Sequence, residues 1–192
     1  VLSDDEIMED WQIPVMEAMA DVVTESQGDV LEIGFGRGVA SDMIQNRGVQ
    51  SHTIVECNDA IVERYRDWRE RRPDATIHLI HGKWQDTTDR FEQYDGIFFH
   101  TYPLNEEELL ENVVNSVTFA ANFFPVAADH LREGGAFSYL TNEADSLSRA
   151  HQRLLFEHFS SFSMKVVGPL DLPADSRDDL WADSMVVVKA IK

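Results

Sequence analysis

The stretch DVLEIGFGRGVAS, residues 29–41, joins an apolar run to three closely spaced glycines. The run Asp29–Ile33 has the composition of a buried strand, and a helical pattern begins at Gly38. Gly34, Gly36 and Gly38 can adopt a positive φ, and they let the backbone approach a ligand where a side chain would clash. A strand, a glycine loop and a helix in this order predict a nucleotide-type binding turn in an α/β sheet.

The rest of the chain continues this alternation of short apolar runs and helical patterns, which is typical of βαβ units. The last two runs have no helical pattern between them, so they predict an antiparallel addition. We therefore predict a doubly wound α/β fold: a seven-stranded, mostly parallel sheet with one antiparallel edge strand and helices on both faces. The predicted strands are Asp29–Ile33, His52–Glu56, Thr76–His81, Tyr94–Phe99, Ala136–Leu140, Ser163–Val167 and Trp181–Ala190. Ser3 and Glu6 form a predicted capping box that opens a first helix, which continues through Met8 and Trp11. The other predicted helices are Pro14–Val23, Gly38–Asn46, Ala60–Arg71, Glu106–Leu131 and Ser146–Phe159.

The composition predicts a single domain over residues 1–192. Of the 192 residues 43% are hydrophobic, which is enough for one core. The 16 basic and 35 acidic residues give a formal charge of −19, which disfavours nucleic acid and anionic membranes as partners. One cysteine excludes an internal disulfide, and the sequence shows neither a leader nor an apolar run of about 18 residues, so a cytoplasmic location is expected. The histidines lack metal-ligand spacing, and no metal is expected.

A carboxylate follows the glycine loop at the spacing of a nucleoside site. Glu56 ends the next predicted strand, 56 − 34 = 22 residues after Gly34, where it can accept both ribose hydroxyls. The glycines follow G-x-G-x-G, whereas dinucleotide sites use G-x-G-x-x-G. Glu32, two positions before the first glycine, favours a cationic sulfonium over a pyrophosphate. Arg37 would suit a phosphate, but its long side chain can point to solvent. The loop therefore favours S-adenosylmethionine over a nicotinamide dinucleotide.

Six segments occur in the order and spacing of guanidinoacetate N-methyltransferases, and the chain resembles that family from Ile7 to Asn142. The segments are MEDWQIPVM, VLEIGFGRG, IVECND, HGKWQD, YDGIFFHTYPL and LREGGAFSYL. The resemblance implies a Rossmann-like class I methyltransferase fold with S-adenosylmethionine as the cofactor. We also expect residues 1–28 to form a helical cover over the active site.

The resemblance also implies which residues bind the cofactor. Phe35–Ala40 are expected to line its methionine part, Glu56–Asn58 its ribose, and Trp84 with Gln85 its adenine. The predicted cofactor-binding residues are Met8, Glu32, Gly34, Phe35, Gly36, Arg37, Gly38, Val39, Ala40, Glu56, Cys57, Asn58, Trp84 and Gln85.

The chain departs from the family at the acceptor end. Where the family has a glutamate in a W-E-T motif and an aspartate in a Y-D-T-Y-P motif, this chain has Gln12 and His100. Both carboxylates that would pair a guanidinium are missing. The stretch that receives the substrate carboxylate in the family becomes Asn142–Glu143, where an added acid would repel it. Both ends of guanidinoacetate are therefore poorly matched.

A small, neutral, planar heteroaromatic acceptor fits these changes better. His100 can act as general base on a ring N–H, with one ionisation expected between about pH 6 and 8. Loss of that proton makes N1 and C3 of an indole more nucleophilic, and Glu143 can pair with an ammonium or amide N–H. We predict an indole or tryptamine-like acceptor, methylated at C3 or at nitrogen. The predicted substrate-binding residues are Trp11, Gln12, Met16, His100, Tyr102, Asn142 and Glu143, with His100 catalytic.

Other functions are compatible with the same residues. They are N-methylation of a guanidino compound, a catalytically idle cofactor-binding partner of another enzyme, and a nicotinamide oxidoreductase. The aromatic stretch with Phe119, Phe123 and Phe124 predicts a core-facing helix, although an acceptor-pocket wall or a homodimer contact also fits it.

Overall fold

The computed structural model describes residues 3–102, 110, 116–173 and 182–192, and within them it contains seven strands and six α-helices. The strands are β1 (Asp29–Ile33), β2 (Ser51–Glu56), β3 (Ile77–His81), β4 (Tyr94–Phe99), β5 (Leu131–Tyr139), β6 (Ser161–Val167) and β7 (Met185–Ile191). The α-helices are α1 (Asp4–Ile7), α2 (Ile13–Val23), α3 (Val39–Asn46), α4 (Asp59–Glu70), α5 (Phe124–His130) and α6 (Arg149–His158).

The strands form one sheet in the order β3-β2-β1-β4-β5-β7-β6. Strands β1 to β5 pair in parallel, whereas β7 runs antiparallel to both β5 and β6. The mostly parallel sheet with an antiparallel pair at one edge is therefore confirmed. Strand β7 is the antiparallel strand, and β6, which pairs with it, forms the edge of the sheet. The strand order reverses between β1 and β4, and ligands of such sheets bind in the crevice at this switch point.

The N-terminal helix is shorter than the sequence predicts. Helix α1 ends at Ile7, and a 3-10 turn over Asp10–Gln12 leads into α2, so no helix continues through Met8 and Trp11. The break lies at Glu9, which is extended with φ −87° and ψ 144°. Pro14 lies in the first turn of α2, where its missing N–H costs least. The side chain of Glu6 lies outside the described residues, so the capping box stays a prediction.

Within the described residues, the predicted helix Glu106–Leu131 is α-helical only over Phe124–His130. Thr118 is extended, with φ −157° and ψ 149°, and is followed by a 3-10 helix, Phe119–Phe123, and by α5. Pro125 lies in the first turn of α5, where its missing N–H costs least. Residues 106–109 and 111–115 lie outside the described residues.

Several other boundaries move by a few residues. Strand β5 begins at Leu131 rather than Ala136, because Leu131 already pairs with Tyr94 across an irregularity in the ladder. Helix α6 begins three residues later than predicted, since the Ser148 hydroxyl caps it by accepting from the His151 N–H at 3.2 Å. Strand β7 begins at Met185, and the predicted start at Trp181 lies outside the described residues.

Helices cover both faces of the sheet. Side chains of consecutive β4 residues point to opposite faces. Ile97 belongs to the core cluster that packs with α5 and α6, and Phe98 to the one that packs with α2 and α3. Among the described helices, none has the length and apolar character needed to cross a membrane.

Helix α2 packs closely against β4 because Gly96 has no side chain. A Cβ at Gly96 would lie 1.9 Å from the carbonyl oxygen of Val23, the last residue of α2. This contact fixes the helix that follows Gln12 and so contributes to the position of the N-terminal segment.

We expect Gly96→Ala to lower the free energy of unfolding by about 1–3 kcal/mol, because the backbone of α2 must shift away from the sheet. Gly134→Ala is the control: its added Cβ meets nothing within 4 Å, and its φ of +78° alone should cost about 1 kcal/mol. Equal losses in urea unfolding would show that α2 yields without strain.

Candidate functional site

An elongated groove lies at the carboxyl ends of β1, β2 and β4. It consists of two adjoining depressions of about 780 and 380 Å³ that share five lining residues. The shared residues are Gly34, Glu56, Cys57, Thr101 and Tyr102. Of the predicted site residues, the groove brings together Met8, Met16, Gly34, Phe35, Gly36, Arg37, Val39, Glu56, Cys57, Asn58, Trp84, Gln85, His100 and Tyr102.

The glycine loop runs along the floor of this groove. Gly34 has φ +91°, and a Cβ there would lie 2.4 Å from the carbonyl oxygen of His100. The loop therefore passes directly against the end of β4, which a larger residue would prevent. Gly38, with φ +79°, precedes α3 and does not line the groove; Ala40 is buried inside α3.

The carboxylate of Glu56 fastens the loop to the end of β2. One oxygen, Oε2, accepts from the backbone N–H groups of Phe35 at 3.0 Å and Gly36 at 3.4 Å. The other, Oε1, accepts from the N–H groups of Cys57 at 2.8 Å and Asn58 at 2.9 Å. Four charge-assisted hydrogen bonds thus hold a buried anion that borders both depressions.

One end of the groove is aromatic. Trp84 and Phe119 line it beside Gln85, and the Trp84 ring packs edge-on against Phe123 with centroids 5.1 Å apart. This packing holds the indole in place and leaves part of it facing the groove, which suits a flat, mostly apolar ring.

The N-terminal segment lies against the other end. The Arg37 guanidinium donates to the carbonyl oxygen of Met8 at 3.0 Å and to the Asp10 carboxylate at 2.8 Å. A second ion pair joins Arg64 on α4 to Asp4 on α1 at 2.6 Å. Arg37 therefore does not point to solvent as predicted; its side chain, 21% exposed, ties this segment to the glycine loop.

Gln12, His100 and Tyr102 form a polar cluster; His100 and Tyr102 line the larger depression with Met16, whereas Gln12 is buried behind them and does not line it as predicted. His100 Nε2 lies 3.1 Å from Gln12 Oε1, and the Tyr102 hydroxyl donates to the same oxygen at 3.0 Å. Gln12 in turn donates through its amide to the Tyr102 hydroxyl at 2.8 Å. Burial lowers the pKa of His100 to about 4, so its imidazole is neutral at physiological pH.

Glu32 lies inside the protein and does not line the groove, contrary to the prediction. Its Oε2 accepts from the Ser41 hydroxyl at 2.6 Å and lies 2.8 Å from His52 Nε2, and all three side chains are buried. These contacts join β1 to α3 and β2. A strand-end acid can thus position the glycine loop without reaching the ligand.

Asn142 and Glu143 also lie outside the groove, in shallow depressions beyond β5. The Glu143 carboxylate accepts from the Ser148 N–H at 2.9 Å and lies 2.9 Å from His151 Nδ1, and His151 Nε2 lies 2.6 Å from the Tyr139 hydroxyl. Glu143 is therefore engaged at the start of α6 and does not face the groove as predicted.

Trp11 is half-buried and does not line the groove either; its indole N–H donates to Glu9 at 2.7 Å. Sequence reasoning missed several lining residues. They are Ile7, Ile33, Val55, Ile61, Gly82, Lys83 and Thr101, whereas Phe119 was named above as a possible pocket wall. Most of the missed residues are next in sequence to a predicted site residue, so they could have been predicted from their positions near the ends of β1, β2 and β3. No cluster of metal-ligating side chains occurs within the residues that the structure describes.

Solved structures share this fold. The O-methyltransferase from Bacillus cereus in complex with SAH superposes with a TM-score of 0.59 at 14% identity, covering 96% of this chain and 82% of that one. The N-methyltransferase NodS from Bradyrhizobium japonicum gives 0.63 at 13% identity, covering 95% and 96%. The chain therefore has the fold of these methyltransferases.

The family model of guanidinoacetate N-methyltransferase matches residues 2–154, and the chain belongs to this family. Among curated proteins it is similar to protein arginine N-methyltransferase 2 of Eremothecium gossypii, 31% identical over 118 residues, and of Candida glabrata, 29% identical over 117 residues. Each alignment covers 56% of this chain and 28% of the relative, so the chain matches about a quarter of those proteins. The nicotinamide and idle-partner alternatives find no support in this membership.

The lowered pKa of His100 predicts a pH-dependent stability. Below about pH 6.5 the unfolded chain gains a proton that the folded chain takes up only near pH 4, so stability is lost as the pH falls through this window. The shift corresponds to about 3 kcal/mol. We expect His100→Gln to lose less stability than the wild type between pH 7 and about pH 4.5 in urea unfolding. Parallel curves would show that His100 titrates normally.

Proposed function

We propose that the groove binds S-adenosylmethionine with the adenine at the aromatic end beside Trp84, the ribose at Glu56, and the methionine part along the glycine loop. The alternation of an aromatic end, a buried carboxylate and a polar backbone supports this order. The cofactor supplies a methyl group that its positive sulfonium has already activated. The chain then has to align an acceptor and remove one proton.

Glu56 gives the first test. Its two oxygens already accept four backbone N–H groups, so ribose hydroxyls would share these lone pairs. We expect Glu56→Ala to weaken binding of S-adenosylhomocysteine about 10- to 100-fold or more in calorimetry, because the loop loses its anchor and the ribose its acceptor. Glu63→Ala, on the exposed face of α4, is the control and should bind normally. Unchanged affinity in Glu56→Ala would place the ribose elsewhere.

We further propose that the acceptor is a small neutral heteroaromatic, with an indole or tryptamine-like compound as the best match. The lowered pKa of His100 carries this proposal. Burial that makes a protonated imidazole unfavourable also makes an unpaired guanidinium unfavourable at the same place. Among the described residues, no carboxylate hydrogen-bonds to Gln12, His100 or Tyr102 to compensate such a cation.

In this proposal His100 accepts the proton of the acceptor ring, while Gln12 and Tyr102 orient the imidazole. A base with a pKa near 4 is weak, but a ring that has gained a methyl at carbon carries an acidic N–H, so a weak base suffices. The ionisation expected between about pH 6 and 8 is replaced by one near pH 4, because burial and not solvent sets the pKa.

A guanidino acceptor is the second candidate, and the curated relatives favour it, since they are named as arginine N-methyltransferases. The structure offers Glu9 as its anion. The pKa of Tyr102 is raised by burial and, to a smaller extent, by the charge of Glu9, so this carboxylate lies near the cluster. Its hydrogen bond with Trp11 would have to be shared.

An acceptor panel separates the two candidates. The protein is incubated with S-adenosylmethionine and guanidino, indole and phenol compounds, and a mass increase of one methyl group is measured. We expect turnover of an indole and negligible turnover of guanidinoacetate. His100→Ala should lower turnover on the order of 10²-fold with cofactor affinity retained, and His78→Ala on the exposed β3 edge should not.

Efficient methylation of guanidinoacetate by the wild type would contradict the neutral acceptor. A double variant, Gln12→Glu with His100→Asp, restores both family carboxylates and should lose the indole and gain guanidine binding. If His100→Ala retains its turnover, the histidine is only a wall of the pocket.

A further inference from the structure

The outer edge of β6 has no partner strand within the described residues. Strand β6 has seven residues and pairs on one side with β7. A strand edge of this length presents a row of backbone donors and acceptors that can pair with another strand. The groove and its cofactor play no part in this edge.

An apolar patch accompanies the edge. Phe162, Met164 and Val166 alternate along β6 and so share one face of the sheet. Met164 and Val166 are 49% and 47% exposed, and Phe156 on α6, 61% exposed, contacts Phe162 with ring centroids 4.9 Å apart. Contiguous exposed apolar side chains beside an open strand edge indicate a docking surface.

The opposite edge of the sheet differs. The exposed side chains of β3 are those of His78 and His81, while Ile77 and Ile80 are buried. An apolar surface therefore accompanies the β6 edge and not the β3 edge.

The distribution of charge favours a second copy of this chain as the partner at the β6 edge. The chain carries a formal charge of −19, so two copies repel each other unless they meet where acidic residues are absent. Residues 160–170 contain no aspartate or glutamate, and Lys165 is their single charged residue. A second copy of this chain is thus tolerated at β6 more readily than at its acidic surfaces.

The sequence of β6 is self-complementary in an antiparallel pairing centred on Met164. This register places Met164 opposite the partner's Met164, and Phe162 opposite the partner's Val166, so the apolar side chains meet on one face. Lys165 lies opposite the partner's Ser163, so the two lysines are not directly opposed. We propose that two copies associate through β6 in this register, forming a two-fold dimer with one continuous sheet.

Register-specific cross-linking tests the proposal. In a background with Cys57→Ser, which removes the native cysteine, Met164→Cys places two thiols directly opposite each other at Cα separations of about 4.5–5.5 Å, within disulfide range. We expect mild oxidation to join Met164→Cys chains. Ser163→Cys alone should not cross-link, but a mixture of Ser163→Cys and Lys165→Cys should.

Sedimentation supplies the second measurement. We expect the wild type to form a dimer within about 1–100 µM protein, and Met164→Asp to weaken it at least about 100-fold without lowering the unfolding temperature. His78→Asp, on the β3 edge, is the matched control and should dimerise normally. A monomeric wild type at the highest concentration overturns the proposal, as does cross-linking of Ser163→Cys alone that equals that of Met164→Cys. A dimer that Met164→Asp leaves intact uses another surface and overturns it too.

Discussion

The four backbone hydrogen bonds accepted by Glu56 are the interaction on which the site depends. In the glycine loop, Gly34 donates its N–H to the carbonyl of Val55, whereas the N–H groups of Phe35 and Gly36 donate to the buried carboxylate of Glu56. The same carboxylate accepts two more N–H groups from the residues that follow its own strand. The anion needs these donors as much as the loop needs the anion, since a buried charge without partners is strongly unfavourable. The floor of the groove and the end of β2 are therefore one unit.

A second constraint joins the glycine loop to the polar cluster of Gln12, His100 and Tyr102. Gly34 permits the loop to touch the backbone of His100, and the segment that Arg37 fastens to the same loop carries Gln12 to the His100 ring. Displacement of the glycine loop would thus move His100 and Gln12, two of the three residues of the polar cluster. The geometry of the cluster depends on the glycine loop, although none of the three polar side chains of the cluster belongs to the loop.

The sequence predicted the elements whose signals are local. The glycine spacing and the distance to Glu56 predicted the loop and its acid, because a parallel sheet brings the ends of neighbouring strands together. Contacts that depend on partners distant in the chain were not predictable. Glu32 turned inward because His52 lies beside it on β2, and Glu143 found His151 on α6. Pro125 is a local signal that a helix begins near it, but the apolar pattern of the surrounding residues led to the prediction of one long helix.

The polarity of the acceptor end is best understood against the charge of the whole chain. A protein of charge −19 raises the local concentration of cations at its surface, so the field alone would favour a guanidinium. Long-range fields are screened within about 8–10 Å at physiological ionic strength, whereas desolvation acts at contact and is not screened. The burial that holds His100 neutral therefore acts on any group bound in contact with it, whereas the surface charge governs how often cations approach the groove. The selectivity for a neutral ring that we propose would then be a consequence of burial and would not require repulsion.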